Sequence, residues 1–119
     1  MHIFIRKSAP LIWALITWYL TSTPQLVVTE RFWLQDFLMA FAHFTFLGMQ
    51  ASLLYLAGAS GVNSLVVASL FGAAVELNQL FVPGRSADPA DWALDTLGAL
   101  TFLFILKKLQ SKQQTIIRN

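Results

Sequence analysis

Four apolar segments dominate the chain, and most of its charged side chains lie outside them, in the connecting stretches and at the two ends of the chain. The segments cover about residues 9–22, 37–56, 62–82 and 90–106. A helix needs about 20 mostly apolar residues to cross a bilayer, so the pattern predicts an all-α membrane protein, a compact bundle of four transmembrane helices. Only 12% of the residues are charged, far fewer than the roughly 25% of soluble domains.

The 119 residues fit a single domain, since they show neither an internal repeat nor a second composition class. The short link AGASGVN, at 57–63, makes the second and third segments an antiparallel hairpin. The first segment follows two basic residues but lacks a small-residue cleavage site, so we expect an uncleaved span. The chain has no cysteine, which excludes disulfides and thiolate metal sites.

The basic residues predict the orientation of the bundle. Six lie outside the first and last segments: Arg6, Lys7, Lys107, Lys108, Lys112 and Arg118. Only Arg31 and Arg85 lie in the loops at the other end. The positive-inside rule therefore predicts a multi-pass protein of the cytoplasmic membrane with both termini cytoplasmic. We expect membrane lipid and no nucleic acid as partner, and an oligomer remains open.

The loop between the last two segments combines helix stop and start signals. Pro83 and Gly84 are expected to end the third helix, because proline cannot extend it and glycine permits the turn. Asp88 is expected to cap the fourth helix, with Pro89 at its first position. Asp91 falls three residues after this cap, where its carboxylate can reach back to the cap's N–H.

Three ionisable residues lie inside apolar segments, where a charge costs several kcal/mol unless it is paired or hydrated. Glu76 and Asp95 lie on either side of the loop, and His43 lies at a similar depth in the second segment. Helical spacing places each on a face with small or polar neighbours, so the three faces are expected to point toward each other. The alternative for Glu76 and Asp95 is a structural ion pair or a protonated acid hydrogen-bonded between helices, and the alternative for His43 is an interhelical hydrogen bond.

Arg85 is the expected counter-charge, since its planar guanidinium can hold a carboxylate or a phosphate through two hydrogen bonds. The predicted ligand-binding residues are His43, Glu76, Gln79, Arg85, Asp91 and Asp95. We assign them neither a catalytic role nor a metal or cofactor.

These residues resemble the signature of the VanZ-like family of small bacterial membrane proteins. The signature reads roughly E-x-x-Q-x-F-x-P-G-R-x-x-D-x-x-D-x-x-x-N-x-x-G. It matches Glu76, Gln79, Phe81, Pro83, Gly84, Arg85, Asp88, Asp91 and Gly98. The family's H-F pair stands here as His43-Phe44. Asp95 replaces the usual asparagine, and Met39-Ala40 replaces the usual D-K pair; Asp36 lies too far upstream to be a simple substitute.

The resemblance implies an envelope protein whose signature faces outward, with a family link to glycopeptide resistance through teicoplanin susceptibility. It supplies no reaction, and the added Asp95 with the missing lysine would favour a cation or proton. We therefore carry three hypotheses. The first is a pocket that binds or modifies a lipid-linked envelope precursor or an amphiphilic antibiotic. The second is an intramembrane hydrolase or transferase using His43 and Glu76, with Asp95 as the other candidate partner of His43 and a divalent metal as one variant. The third is a structural or assembly subunit.

Overall fold

The computed structural model describes residues 1–24, 30–85 and 87–119. In these ranges the chain forms four α-helices and no strand: α1 (His2–Ser22), α2 (Phe32–Leu56), α3 (Gly61–Gln79) and α4 (Pro89–Arg118). The helices α2, α3 and α4 are long and apolar enough to cross a membrane. The predicted all-α membrane fold is confirmed. Helix α1 does not reach the same apolarity, so its crossing, like the orientation of the termini, stays a prediction.

The outer ends of α1 and α4 extend beyond the predicted segments. Helix α1 begins at His2 rather than at residue 9, and α4 continues to Arg118 rather than ending at residue 106. The C-terminal extension contains neither glycine nor proline, and nothing in its composition stops the helix. Hydropathy identifies the apolar part of a helix, whereas the helix itself continues until it reaches a residue that is unfavourable for helix formation.

Helix α3 ends a turn earlier than predicted. It stops at Gln79, and the amides of Phe81 and Val82 then bond to carbonyls three residues back, at 3.0 and 3.2 Å. The prediction that Pro83 ends this helix was therefore wrong, because these tighter turns begin before proline is reached and carry Val82 into the interior. Gly84 has a φ of 78°, the left-handed region that glycine enters without strain.

The start of α4 follows the sequence prediction. The Asp88 side chain accepts a hydrogen bond of 2.9 Å from the backbone N–H of Ala90, and Pro89 occupies the first helical position. At the other end of the bundle, Ser60 caps α3 by accepting from the amide of Asn63 at 3.0 Å. These caps fix where α3 and α4 begin, and so which of their faces turn toward α2.

Helices α2 and α4 form the central pair of the bundle, α3 packs against both, and α1 packs on α2 and α3. The central pair is very close: a Cβ at Gly98 would overlap the backbone of Phe44. Toward the α2–α3 turn the interior is a small apolar cluster of Ala51, Ala68, Ala99 and Leu103. Toward the α3–α4 loop the interior is polar, and this is where the candidate site lies.

Candidate functional site

Four ionisable side chains from α2, α3 and α4 converge inside the bundle near the α3–α4 loop. His43 Nδ1 lies 3.0 Å from Asp95 Oδ1, within hydrogen-bond distance, and 3.9 Å from Glu76 Oε1. His43 Nε2 lies 3.7 Å from Asp91 Oδ2. The predicted convergence of the three helix faces is thus confirmed. We define these four residues as the acid–histidine cluster.

Asp95 is the most deeply placed member of the cluster, with 0% of its surface exposed. Gly72 on α3 has no side chain and so leaves space for this carboxylate, since an added Cβ would lie 2.8 Å from Asp95 Oδ2. The carboxylate therefore rests directly against the α3 backbone. Oδ1 faces His43, whereas the buried Oδ2 has no hydrogen-bond partner among the described residues.

Glu76 links the cluster to the α3–α4 loop. Its Oε2 accepts a 3.0 Å hydrogen bond from the backbone N–H of Asp88, the N-cap of α4. The prediction that Asp91 would take this N–H was therefore wrong, because a carboxylate from another helix already satisfies it. Asp91 is left facing His43 instead, and Glu76 Oε1 is buried without a hydrogen-bond partner in the described chain.

The cluster holds more acid than base. Its three carboxylates surround one imidazole, and no Lys or Arg in the described ranges lies within ion-pair distance of them. The side chains of Glu76 and Asp95 are only 8% and 0% exposed, and one imidazolium cannot neutralise both of them when both are ionised. The arrangement therefore requires bound protons or a bound cation.

Arg85 does not act as the predicted counter-charge. Its Nε donates to the carbonyl of Thr23 at 2.7 Å and its Nη2 to the carbonyl of Leu20 at 3.3 Å. A cation is thereby placed at the C-terminal end of α1, where the helix dipole favours it. Burial lowers the pKa of the Arg85 guanidinium, and the charge of Glu76, beyond contact distance, opposes this shift. Arg85 thus joins α1 to the α3–α4 loop.

Gln79 lies beside the cluster on α3 and is only 2% exposed. Its Nε2 is buried and finds no acceptor within the described part of the chain. A buried amide donor without a partner costs about 1–3 kcal/mol. Such a cost is commonly offset by a ligand or an ordered water at the same place.

A polar cavity of about 450 Å³ opens from the acid–histidine cluster. It is lined by Asp36, Met39, Ala40, His43, Gln79, Arg85, Asp88 and Asp91. Asp36 and Met39 were not among the predicted site residues. Asp36 precedes Ala40 by four residues, one helical turn, so helix geometry returns it to the cavity although the resemblance placed it too far upstream. We call this space the polar cavity.

A second cavity, also of about 450 Å³, lies next to the polar one between α1 and α2. It is mainly apolar, with Leu20, Ala42, Phe46 and Leu47 in its wall. Met39, His43 and Arg85 line both cavities. We call this second space the apolar cavity. It was missed from the sequence because α1 supplies one of its walls, and the position of α1 depends on long-range contacts.

Thr17 and Thr21 of α1 both line the apolar cavity. Thr21 Oγ1 donates to the carbonyl of Thr17 at 2.8 Å, as expected for backbone-bonding threonines. Thr17 is 1% exposed, and its buried Oγ1 has no partner among the described residues. Four of the predicted ligand-binding residues line the polar cavity: His43, Gln79, Arg85 and Asp91. Glu76 and Asp95 lie behind this wall, next to His43, and the binding role of all six stays a prediction.

Comparison with known proteins gives one match. A family model described as VanZ/LLP1 matches residues 4–110, which is most of the chain and includes every residue of the cluster. No curated protein and no solved structure is similar enough to match.

Proposed function

Because the chain belongs to the VanZ/LLP1 family and joins a polar cavity to an apolar one, we propose that it binds an amphiphilic envelope molecule. The polar head of this molecule occupies the polar cavity, and its hydrocarbon chain occupies the apolar cavity. The observation that carries the proposal is the shared wall of Met39, His43 and Arg85. A molecule with a head and a tail can span both spaces while contacting these three side chains.

The polar cavity offers donors for a head group. Gln79 Nε2 is buried without an acceptor, and Arg85 reaches the cavity wall with donors beyond the two used on α1. Guanidinium and amide donors together suit a phosphate or carboxylate oxygen. Asp36 and Asp88 add acceptors on the same wall, which suit sugar hydroxyls or amines.

The apolar cavity is of the size and character of small-molecule sites, which are concave and mostly apolar with a few polar groups. Its side chains come from the two helices next to the polar cavity, so a tail enters beside its own head group. The ligand we favour is a lipid-linked envelope precursor, and the runner-up is an amphiphilic glycopeptide such as teicoplanin. Both require that the site face the outer side of the cytoplasmic membrane, the orientation that the basic residues predict.

Filling the apolar cavity tests the proposal directly. We expect Ala42→Phe to place a ring in the tail space and to reduce retention of a polyprenyl diphosphate at least about tenfold, measured by native mass spectrometry of the protein in detergent. The control is Leu70→Phe, which adds a ring at a residue 66% exposed and facing away from the interior. Equal retention by the two variants would contradict the proposal.

Removing the unpartnered amide donor of Gln79 tests whether the polar cavity binds the head group. Gln79→Met keeps the length of the side chain but removes its amide, so we expect weaker binding of the diphosphate and little change for the same tail carrying a neutral alcohol. In cells that depend on the protein, the same variant should change teicoplanin susceptibility at normal expression. Unchanged diphosphate binding would remove Gln79 from the site.

One observation favours a second function, hydrolysis or group transfer on a lipid-linked substrate. Buried Asp95 Oδ1 lies 3.0 Å from His43 Nδ1, and in the tautomer that carries its proton on Nδ1 this contact orients the imidazole so that Nε2 can take a proton from a substrate or water. Of the two carboxylates that the sequence hypothesis offered as partners of His43, Asp95 is within hydrogen-bond distance, whereas Glu76 lies at 3.9 Å.

Loss of head-group release from a polyprenyl diphosphate in His43→Gln, with its binding retained, would establish this second function. Release that persists in His43→Gln would exclude His43 as its base.

A further inference from the structure

We propose that the acid–histidine cluster is a binding site for a divalent transition-metal ion, with His43 Nδ1, a carboxylate oxygen of Asp95 and Glu76 Oε1 as its ligands. The proposal goes beyond the binding of an amphiphile and does not depend on it. These atoms come from three different helices, and all lie within 4.8 Å of one another. A metal ion is therefore able to join α2, α3 and α4 at one point.

The spacing of the donor atoms fits a small metal ion. Bonds of about 2.0–2.1 Å in a tetrahedral zinc site place neighbouring ligand atoms about 3.3 Å apart. The distances from His43 Nδ1 are 3.0 Å to Asp95 Oδ1 and 3.9 Å to Glu76 Oε1, one on each side of that value. The oxygens of Glu76 and Asp95 lie within 4.8 Å of each other, so a bound metal would draw these two side chains closer together.

A second observation points to a missing partner. Glu76 Oε1 and Asp95 Oδ2 are buried oxygen atoms without a hydrogen-bond partner in the described chain, and the two residues are 6% and 0% exposed. Glu76 Oε1 is directed at His43, whereas its other oxygen is held by the amide of Asp88. The excess of carboxylates gives the cluster a net negative charge when they are ionised, which a bound cation would neutralise.

The opposite side of the imidazole completes the arrangement. Metal-binding histidines usually donate their second ring N–H to a carboxylate, which fixes the ring. Here Asp91 Oδ2 lies 3.7 Å from His43 Nε2, on the side of the ring opposite Nδ1. The set of one nitrogen and two oxygens suits zinc, iron or manganese. Three protein ligands leave a coordination position free, and His43 lines the polar cavity from which it is reached.

His43 Nδ1 can either bind the metal or share a proton with Asp95, but it cannot do both at once. A metal on Nδ1 replaces the proton that His43 shares with Asp95, so binding releases protons and changes the environment of Nδ1 rather than Nε2. Nitrogen NMR of the imidazole separates the two states. The chain has two histidines, and a His2→Gln background leaves His43 as the only imidazole.

The test uses the full chain in lipid nanodiscs, stripped with a chelator and titrated with Zn²⁺ alone, without any amphiphile. We expect one Zn²⁺ per chain by calorimetry and a shift of the His43 Nδ1 resonance. Glu76→Gln and Asp95→Asn should each weaken binding by about 100-fold, at least the loss known for outer-shell changes. Glu76→Gln keeps an oxygen for the Asp88 amide, and Glu30→Gln is the matched control at an exposed glutamate, with unchanged affinity.

Failure of the metal site leaves the amphiphile proposal intact, because the two experiments share no ligand. Absence of stoichiometric Zn²⁺ binding, or equal binding by Glu30→Gln and Glu76→Gln, overturns the proposal. Should a variant fail to fold, the Nδ1 shift in the otherwise unaltered chain decides the question: a shift at Nε2 alone contradicts the assigned ligand.

Discussion

The two ends of the helical bundle have interiors of opposite character. Toward the α2–α3 turn the interior contains Ala51, Ala68, Ala99 and Leu103, small or apolar side chains that allow close helix contact, together with the buried hydroxyl of Ser64. Toward the α3–α4 loop it contains three carboxylates, an imidazole and a buried amide with an unused donor. The same helices α2, α3 and α4 supply both ends.

The difference shows which end serves stability. Packing of small apolar residues holds membrane helices together, and the unpartnered polar atoms described near this end, Ser64 Oγ and Gln50 Oε1, belong to neutral groups rather than carboxylates. Buried carboxylates without a positive partner cost several kcal/mol, and Glu76 and Asp95 retain oxygens without hydrogen bonds. The apolar end therefore stabilises the bundle, whereas we propose that the polar end is kept for what it binds.

The largest expected effect is at Gly98, on the contact that the two ends share. Gly98→Ala would press a methyl group into the backbone of Phe44. We expect a loss of about 3 kcal/mol, the upper part of the range for overpacking, although alanine favours a helix by about 1 kcal/mol over glycine elsewhere. Unfolding in a denaturing detergent measures the change, and zinc affinity should fall with it.

Gly48→Ala is the control for this variant. Its new methyl group meets the ring of Phe102 at 2.5 Å, and a side chain can turn aside where a backbone cannot. A stable Gly98→Ala protein with normal ligand binding would show that the contact between α2 and α4 does not set the geometry of the polar end.

A smaller effect is expected at Arg85, which attaches α1 to the polar end. Arg85→Ala removes its hydrogen bonds to the carbonyls of Leu20 and Thr23, at a cost of about 1–2 kcal/mol. Hydrogen exchange should increase in the last turn of α1 and remain unchanged in α2 and α4. Faster exchange throughout the chain would contradict a local attachment.

The polar end was only partly predictable from the sequence. Periodicity placed His43, Glu76 and Asp95 on inward faces, because spacing within one helix fixes which side chains share a face. The cap at Asp88 was predictable for the same reason, since a cap acts within its own turn. The apolar segments predicted the four helices, but not the helical extensions of α1 and α4.

The errors concern contacts between distant parts of the chain. The carbonyls that accept hydrogen bonds from Arg85 and the amide that donates one to Glu76 are backbone groups. A sequence does not show which backbone groups remain free to make such bonds. The apolar cavity and the closeness of three ligand atoms depend on how α1 and α3 pack on α2. The place of Asp36 in the wall of the polar cavity was predictable from the sequence, because one helical turn separates it from Ala40.

The smallest effect is expected at the apolar end. The Lys107 ammonium lies 5.7 Å from the centre of the Tyr55 ring, and such a contact contributes about 0.5 kcal/mol at an exposed site. Lys107→Met should therefore lower stability slightly and leave zinc and diphosphate binding unchanged. Altered binding in this variant would show that the two ends are coupled, contrary to the division drawn above.

The most direct test of this division is the thermal unfolding of Asp95→Asn with and without Zn²⁺. Asparagine keeps an oxygen for His43 while removing one buried negative charge. We predict that the chelator-stripped variant unfolds at or above the midpoint of the unaltered chain, and that Zn²⁺ raises the midpoint of the unaltered chain alone. The contradicting result is an Asp95→Asn variant that is less stable than the unaltered chain without metal, together with an unaltered chain whose midpoint does not respond to Zn²⁺. This result would show that the polar end only holds the helices together.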